Sequence, residues 1–250
     1  MRTKAKLALV LLVLASVGVP GAEEAAKPGP AAASQTKTED VVVKAELSKS
    51  IWGKENKVYL KGHVSLTHGD TVLTCDEVVY DKDAQVAVSP GKVVITDPEC
   101  DITGDKGTAY FKKRIGVVEG NVTMLVKPKK TEEESSSKEG SSESIRAKLS
   151  KPTTVTCQKV EYNYRGKIAS ATGGVLMKQE KRSASAKKLI YDEKNELLTL
   201  LGDVNGVDED GQTFSAPDKV TICVKKGAEW MEAPNATATF KVQTEEETPE

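Results

Sequence analysis

The sequence has few aromatic residues, few histidines and none of the familiar catalytic motifs. Phe, Trp and Tyr make up 4% of the 250 residues, and His occurs twice. Cys-x-x-Cys, Gly-x-Ser-x-Gly, paired-histidine and phosphate-loop patterns are absent, and two histidines offer little to a zinc site. We therefore predict no catalytic residues, no metal and no cofactor. The acidic turns at 208–211 and 81–83 leave calcium as an alternative, although neither completes an EF-hand loop.

The sequence has no excess of basic charge. Lys and Arg number 36 and Asp and Glu 37, for a net charge of −1. Removal of residues 1–22 takes away three basic residues and leaves 33 against 37, a charge of about −4. Nucleic acid is therefore not an expected partner.

The amino terminus has the pattern of a secretory signal peptide. Arg2, Lys4 and Lys6 precede an apolar run over 7–19, and small residues follow at Gly21 and Ala22. That run is shorter than the roughly 20 residues that a membrane-spanning helix needs. We predict a signal peptide at 1–22, and an uncleaved membrane anchor remains the alternative.

Three further segments have compositions that do not support a packed core. Residues 23–40 are rich in Ala, Pro, Lys, Thr and Glu, residues 127–152 are rich in Ser, Glu and Lys, and residues 241–250 are acidic. We predict a disordered linker at 23–40, a disordered insertion at 127–152 and an acidic tail at 241–250. The remaining domain spans residues 41–240.

A repeat of 29 residues runs through that domain. Gly62, Gly91 and Gly120 are each 29 apart, as are Gly173 and Gly202, and each is followed by one residue and then a valine. Tyrosines keep nearly the same step, at Tyr80, Tyr110, Tyr162 and Tyr191, once the insertion is allowed for. Self-similarity at such a period is typical of stacked supersecondary units.

Each unit alternates apolar and polar residues about two polar turns, which indicates antiparallel strands. No segment after residue 22 has a helical period of useful length. The sequence predicts an all-β fold in which repeated antiparallel strands form an open β-jellyroll, or twisted β-sandwich stack.

Two of the units place a cysteine at the same position, in "TVLTCDEVVYD" (71–81) and "TVTCQKVEYNY" (154–164). The corresponding position holds Gly104, Ala186 and Ala216 in other units, so it favours a small residue, and Cys75 and Cys157 suit it as small hydrophobes. With Cys100 and Cys223 the chain has four cysteines. Disulfides remain an alternative, with three pairings that the sequence does not rank.

The spacing of apolar residues around these cysteines predicts a bend. Leu73 and Cys75 share one face of a strand, whereas Val78 and Tyr80 have the opposite parity. We predict a bulge or bend at the intervening polar pairs, at 76–77, 158–159 and 187–188.

These features together resemble the OstA-like β-jellyroll family of lipopolysaccharide transport. The resemblance covers residues 41–240 and consists of Gly-x-Val, a hairpin, a small residue before an acidic one, a later Tyr, and a strand back to the next glycine. It implies a periplasmic module that holds the acyl chains of lipopolysaccharide, or of a related lipid, in an apolar trough between inner and outer membrane. The inner-membrane-anchored component of that system, and a structural β-repeat protein with a closed core and no ligand, remain alternatives.

Inward-facing aliphatic and Met positions are the candidate lipid-binding residues. They are Val64, Leu66, Leu73, Val93, Ile95, Val122, Met124, Val155, Val175, Met177 and Phe214.

The two ends of such a stack are unpaired strand edges. We expect the first strand, near 41–47, and the last, near 236–242, to pair with jellyroll modules of partner proteins or with further copies of the chain. In this interpretation Thr237 and Thr239 carry free edge donors. Charged flanks that keep the protein monomeric are the alternative.

Overall fold

The fold was analysed in a computed structural model, which describes residues 41–127, 151–225 and 227–240. The predicted signal peptide, linker and acidic tail, and most of the insertion, lie outside these ranges. Within the described residues no helix is long and apolar enough to cross a membrane.

The described chain forms eighteen strands, all paired with antiparallel neighbours, so the predicted all-β fold is confirmed. The strands before the insertion are Val41–Lys44 (β1), Leu47–Ile51 (β2), Lys57–His68 (β3), Thr71–Asp81 (β4), Val86–Ser89 (β5), Val93–Thr96 (β6), Cys100–Gly104 (β7), Lys106–Tyr110 (β8) and Ile115–Val126 (β9). Those after it are Thr153–Asn163 (β10), Ile168–Gln179 (β11), Arg182–Asp192 (β12), Leu197–Leu201 (β13), Val204–Val207 (β14), Thr213–Ala216 (β15), Lys219–Cys223 (β16), Trp230–Glu232 (β17) and Thr237–Thr239 (β18).

The strand pairings divide this sheet into two layers. The first layer contains β1, β6, β7, β14, β15 and β18, and the second contains β2, β5, β8, β13, β16 and β17. The six long strands β3, β4, β9, β10, β11 and β12 contribute one half to each layer. Among the described residues no ladder joins the layers, so the chain connects them only where it crosses between them.

Those crossings form a line of bends along the middle of the long strands. In the β3–β4 ladder Gly62 and His63 lie opposite Asp76, two residues against one. The same two-against-one count recurs twice: residues 120–121 of β9 lie opposite Gln158 of β10, and residues 173–174 of β11 lie opposite Lys187 of β12. The predicted bend is therefore present, but the extra residue lies on the strand that carries the glycine rather than at the polar pair.

Each of these bulges consists of two consecutive residues with positive φ, a conformation that glycine adopts at least cost. The φ angles are 76° and 44° at Gly62 and His63, and 79° and 44° at Gly120 and Asn121. The repeating glycine is therefore the residue that turns the chain from one layer into the other. Gly91 is the exception: its φ is not in the left-handed region, and the β5–β6 crossing runs through residues 90–92 instead.

The second residue of three crossings carries a side chain that pairs with a residue of the neighbouring crossing or strand. His63 Nδ1 lies 2.6 Å from Glu46 Oε1, and Asn121 Nδ2 donates to Asp105 at 2.7 Å. A third pair joins Lys187 and Asp203 at 2.7 Å. All are exposed, so each contributes little to stability. The hydrogen bond and charge of Glu46 raise the pKa of His63.

The tyrosine repeat is in register at three positions and out of register at the fourth. Tyr80 pairs with Ala87, which in turn pairs with Ala109, so Ala109 and not Tyr110 occupies the inward position of the second unit. Tyr110 lies one residue later, on the outward face, where Lys113 Nζ stands 5.4 Å from its ring centre. The different spacing of 19 rather than 18 residues from the preceding glycine marks this shift in the sequence.

The insertion occupies a hairpin tip. Val126 at the end of β9 pairs with Thr153 at the start of β10, so residues 127–152 connect two neighbouring strands of the first layer. A long connection at such a place costs the fold little entropy.

Substitution of a bulge glycine is expected to destabilise the fold. A Cβ on Gly173 would lie 2.6 Å from the Cβ of Gln158 at a φ of 85°. We predict that Gly173→Ala lowers the free energy of unfolding by about 1–3 kcal/mol, because it adds both strain and a steric contact. Urea denaturation would measure it.

Gly91→Ala is the matched control, because a Cβ there meets no atom within 4 Å. We expect its effect to stay within about 0.5 kcal/mol. Equal losses at both positions would contradict the proposed role of the bulges.

Candidate functional site

The eleven predicted interior residues all lie on the face of the first layer that packs into the core. Eight of them are at most 5% exposed: Val64, Leu66, Leu73, Val93, Ile95, Val122, Val155 and Val175. Met124, Met177 and Phe214 are half-buried and pack against the same cluster. The structure thus brings the whole set together as one apolar surface, while their contact with a ligand stays a prediction.

The second layer supplies the opposite wall, which the predicted set omitted. Its buried residues include Leu60, Val78, Val118, Leu189 and Leu200, and they belong to the same core cluster as the first-layer residues. The signal was present in the sequence. Val78 and Leu189 follow a polar pair with changed parity, whereas Leu60, Val118 and Leu200 precede a repeating glycine and keep the parity of the apolar residue that follows it. The interior is therefore lined from both sides.

Side chains fill this interior in the structure. Val64, Val93, Val122 and Val175 are each 1% exposed or less. A Cβ built on Gly107 of the second layer would stand 3.0 Å from Val93 Cγ1 of the first, so the two layers pack directly against each other. The described interior is a packed core rather than an open groove.

Along the hairpin tips of the first layer, a row of buried polar groups borders the apolar core. The Thr71 hydroxyl donates to the carboxylate of Asp97, which is 2% exposed and also accepts the N–H of Glu99 at 2.9 Å. Lys127 donates to the carbonyl of Asp97 at 3.0 Å and pairs with Asp101 at 2.6 Å. Among the described residues every buried side-chain polar atom has a partner.

Along the tips of the second layer, the corresponding row is aromatic. Tyr80 and Phe111 meet edge to face with ring centres 5.5 Å apart, and Tyr162 and Tyr164 do so at 5.1 Å. Burial, and then the hydrogen bond to Glu193, raise the pKa of Tyr162. The charge of Glu99, in a first-layer tip, also contributes to raising it.

A cavity of about 280 Å³ opens at the amino-terminal end of the stack, and we call it the N-terminal pocket. Its lining comprises Val43, Ala45, Ser48, Ser50, Val58, Leu60, Tyr80 and Lys82. Leu60 and Tyr80 also belong to the core, so the pocket continues the interior outward. Sequence reasoning missed it, because its walls come from both layers and only the fold brings them together.

In the acidic turns that had suggested calcium as an alternative, carboxylate oxygens accept hydrogen bonds from backbone N–H groups of the same turn. Asp208 Oδ1 accepts the backbone N–H groups of Asp210 and Gln212 at 3.0 and 2.9 Å. Asp81 Oδ1 accepts that of Ala84 at 2.8 Å. Within the described residues no group of three or more His, Cys, Asp or Glu side chains is placed to hold a metal ion.

All four cysteines are free and buried. Cys75 and Cys157 share one environment, since their thiols lie 3.6 and 3.5 Å from the carbonyl oxygens of Glu77 and Lys159. Burial, followed by the charges of Asp97 and Asp101, raises the pKa of Cys100 to about 12. Burial also raises the pKa of Cys75 and Cys157, so these three thiols are poorly disposed to form thiolates.

Comparison with known protein families identifies the fold's relatives. Residues 43–228 match the family described as LptA/(LptD N-terminal domain) LPS transport protein. The chain belongs to this family. The matched segment starts within β1 and ends just before β17, so it covers nearly all of the two-layered LptA-like domain.

No curated protein matches the chain. Seventeen chains of solved structures do, among them the crystal structure of LptH, described as the LptA homologous periplasmic component of the conserved lipopolysaccharide transport device from Pseudomonas aeruginosa. That alignment has 13% identity, covers 82% of this chain and 96% of LptH, and has a TM-score of 0.29.

The state of the cysteines in this LptA-like domain is testable by alkylation without reductant. We predict that iodoacetamide labels few thiols in the native protein, because burial shields them from the reagent, and all four in guanidinium chloride. Intact-mass spectrometry counts the labels. Two labels or none in the denatured, unreduced protein would mean one or two disulfides.

Proposed function

We propose that the chain is a periplasmic carrier that shields the acyl chains of lipopolysaccharide between its two layers on their way from the inner to the outer membrane. Membership of the LPS transport family supports the cargo. The single structural observation that supports the mechanism is the apolar interior, which both layers line without interruption. The predicted signal peptide supports the periplasmic location.

Because side chains fill the interior, binding requires the layers to separate. They are joined covalently along the line of bends, whereas among the described residues no strand ladder joins the polar row of the first layer to the aromatic row of the second. Separation about the bends therefore breaks no strand ladder. An acyl chain that enters replaces layer-to-layer contacts of Val, Leu and Met with similar contacts of its own, so the apolar surface stays out of water.

Such a carrier needs no chemical step. Met124 and Met177, the half-buried members of the interior, are unbranched side chains that adapt to irregular shapes. Aliphatic and Met walls without fixed polar groups suit flexible chains that must slide as well as bind. The alternative, a structural β-repeat protein with a permanently closed core, is favoured by the tight packing around Val64 and Val93.

The stack has two edge strands at each end, and each of them is paired on one side only. Strands β1 and β2 pair only with β3, β17 pairs only with β16, and β18 pairs only with β15. Within the described residues, each layer thus has one free strand edge at its amino-terminal end and one at its carboxy-terminal end. We propose that these edges add to jellyroll modules of partner proteins, or to further copies of the chain, so that the interior continues from one module to the next.

Hydrogen-bond alternation identifies the free groups on β1. Residues 69–70 form a two-residue hairpin loop, so the pair that closes the loop is hydrogen-bonded and the bonds alternate from there. Leu66 therefore bonds to β4, and Thr67 bonds to Val42 of β1. Val43 directs its N–H and C=O away from the sheet and its side chain toward the interior.

The same alternation applied to β18 corrects the predicted edge donors. The N–H of Asp208 donates to the carbonyl of Gln212, so Phe214 bonds to β14 and its two neighbours bond to β18. Thr237 and Thr239 are thus paired with β15, and Ala238 carries the free groups. Ala238 lies opposite Phe214 and on the interior face, as Val43 does at the other end, so an antiparallel β18–β1 contact would extend both the ladder and the interior.

The lipid-carrier proposal is tested by a polar substitution inside the interior. Met177→Gln places an amide where an acyl chain would lie, and we expect lipopolysaccharide binding to weaken by about 1–2 kcal/mol, roughly five- to thirty-fold. Stability should fall only slightly, because Met177 is half-buried. Displacement of an apolar fluorescent probe by purified lipopolysaccharide measures binding, and urea denaturation measures stability.

Leu176→Gln is the matched control, since Leu176 is the neighbouring residue on the outward face. It should leave binding unchanged. Parallel losses of binding and stability in Met177→Gln would favour the closed-core alternative. A wild-type protein that neither binds lipopolysaccharide nor co-purifies with lipid, as judged by mass spectrometry, would end the carrier proposal.

Edge pairing is tested by proline at Ala238. Ala238→Pro removes the free N–H of β18 without touching its bonds to β15, and we expect it to reduce concentration-dependent assembly and crosslinking to partners. Ala238→Ser keeps the N–H and should assemble like the wild type. If sedimentation showed unchanged assembly of a stable Ala238→Pro protein, β18 would not be the pairing edge.

A further inference from the structure

The walls of the N-terminal pocket differ in polarity, so the pocket is not simply an extension of the apolar core. Val43, Ala45 and Val58 form an apolar floor, and they pack against the core cluster. The hydroxyls of Ser48 and Ser50 and the ammonium group of Lys82 complete the lining. A site with one apolar side and one cationic side matches an amphiphile that has an apolar tail and an anionic group.

The ammonium group of Lys82 is free to bind an anion. Among the described residues it forms no ion pair, and its ammonium group stands 5.9 Å from the ring centre of Trp52. The flanking acidic residues are engaged elsewhere: Asp81 caps the backbone N–H of Ala84 at 2.8 Å, and Asp83 accepts from Asn56 at 2.6 Å. The exposed indole and the unpaired cation therefore stand together at the pocket.

The size of the pocket limits what it holds. The cavity of about 280 Å³ lies just below the roughly 300–1,000 Å³ of pockets that enclose a whole drug-sized ligand, so it has room for a part of one acyl chain and not for a whole multi-chain lipid. Because Leu60 and Tyr80 belong both to the pocket and to the core, a chain seated here points along the interior.

We propose that the N-terminal pocket binds one acyl chain of an anionic lipid, with Lys82 holding a phosphate or carboxylate group at its mouth. The proposal rests on the proposed function and deepens it, since it makes the amino-terminal end the entrance of the interior. Ser48 and Ser50 donate to the oxygens next to the anionic group. The charged group stays at the surface, so no carboxylate or phosphate is buried.

The test uses the full mature protein and two probes that differ only in charge, cis-parinaric acid and its methyl ester. Lys82→Glu should weaken binding of the acid by about tenfold or more, as loss of a hydrogen bond to a charged group implies, and leave the ester unchanged. Lys82→Arg should bind both like the wild type. Lys54→Glu, the same charge change in the exposed loop between β2 and β3, is the matched control and should affect neither probe.

A second variant tests the apolar part of the pocket. Ser50→Phe fills the cavity from the edge strand β2 and should abolish binding of both probes. Competition with purified lipopolysaccharide, and separately with phosphatidylglycerol vesicles, identifies which anionic lipid displaces the acid from the wild type.

Equal affinity of wild type and Lys82→Glu for the acid, or unchanged binding by a folded Ser50→Phe protein, would overturn this assignment even if lipopolysaccharide still binds the interior. The carrier proposal fails separately, when the wild type binds no lipopolysaccharide at all. If Ser50→Phe abolished self-association in sedimentation but left binding of the acid intact, the pocket would instead receive a side chain of a second copy, and the lipid site would be refuted.

Discussion

The two-residue bulge with consecutive positive φ angles is the constraint on which the rest of the structure depends. At Gly62-His63, Gly120-Asn121 and Gly173-Gly174 it sets two residues opposite one residue of the neighbouring strand and turns the chain into the other layer. Inward positions keep their parity on the strand that carries the glycine and change it on the partner strand, as between Cys75 and Val78 of β4. In a regular, unbent β4 these two residues would lie on opposite faces. A single local geometry, repeated along the stack, thus folds a meander of hairpins into two packed layers.

In the proposed carrier, the arrangement separates the parts that would stay rigid from the parts that would move. Hydrogen-bonded ladders run along each layer and through every hairpin, and they are unaffected when the layers part. The contacts between the layers are apolar and non-directional, so they adapt to a guest more easily than hydrogen bonds would. The buried Thr71–Asp97 pair belongs wholly to the first layer, and the Tyr80–Phe111 contact wholly to the second, so neither has to break on opening.

Much of this was readable from the sequence, because period and parity are local properties. The 29-residue glycine spacing located the crossings, and the parity change between Cys75 and Val78 required a bend. What the sequence did not provide depended on how strands pair. The position of Tyr110 required the β5–β8 register, and the identity of the edge groups on β18 required the hairpin bond of Asp208. The N-terminal pocket arises where β1 and β2 leave the same turn for different layers, a relation that no periodic pattern records.

The ladder also sets a length. Six short strands and six half-strands make twelve strand segments in each layer, and at about 4.8 Å between neighbours eleven intervals span about 53 Å. Hydrogen bonds fix the distance between neighbouring strands, so the length of one chain across its strands is nearly constant. If chains join by the proposed edge pairing, a distance between two membranes that exceeds this length would be covered only by adding whole chains. Each added chain would lengthen the ladder by twelve strand spacings, about 58 Å, and the spacing of the membranes would select the number of copies rather than the shape of each one.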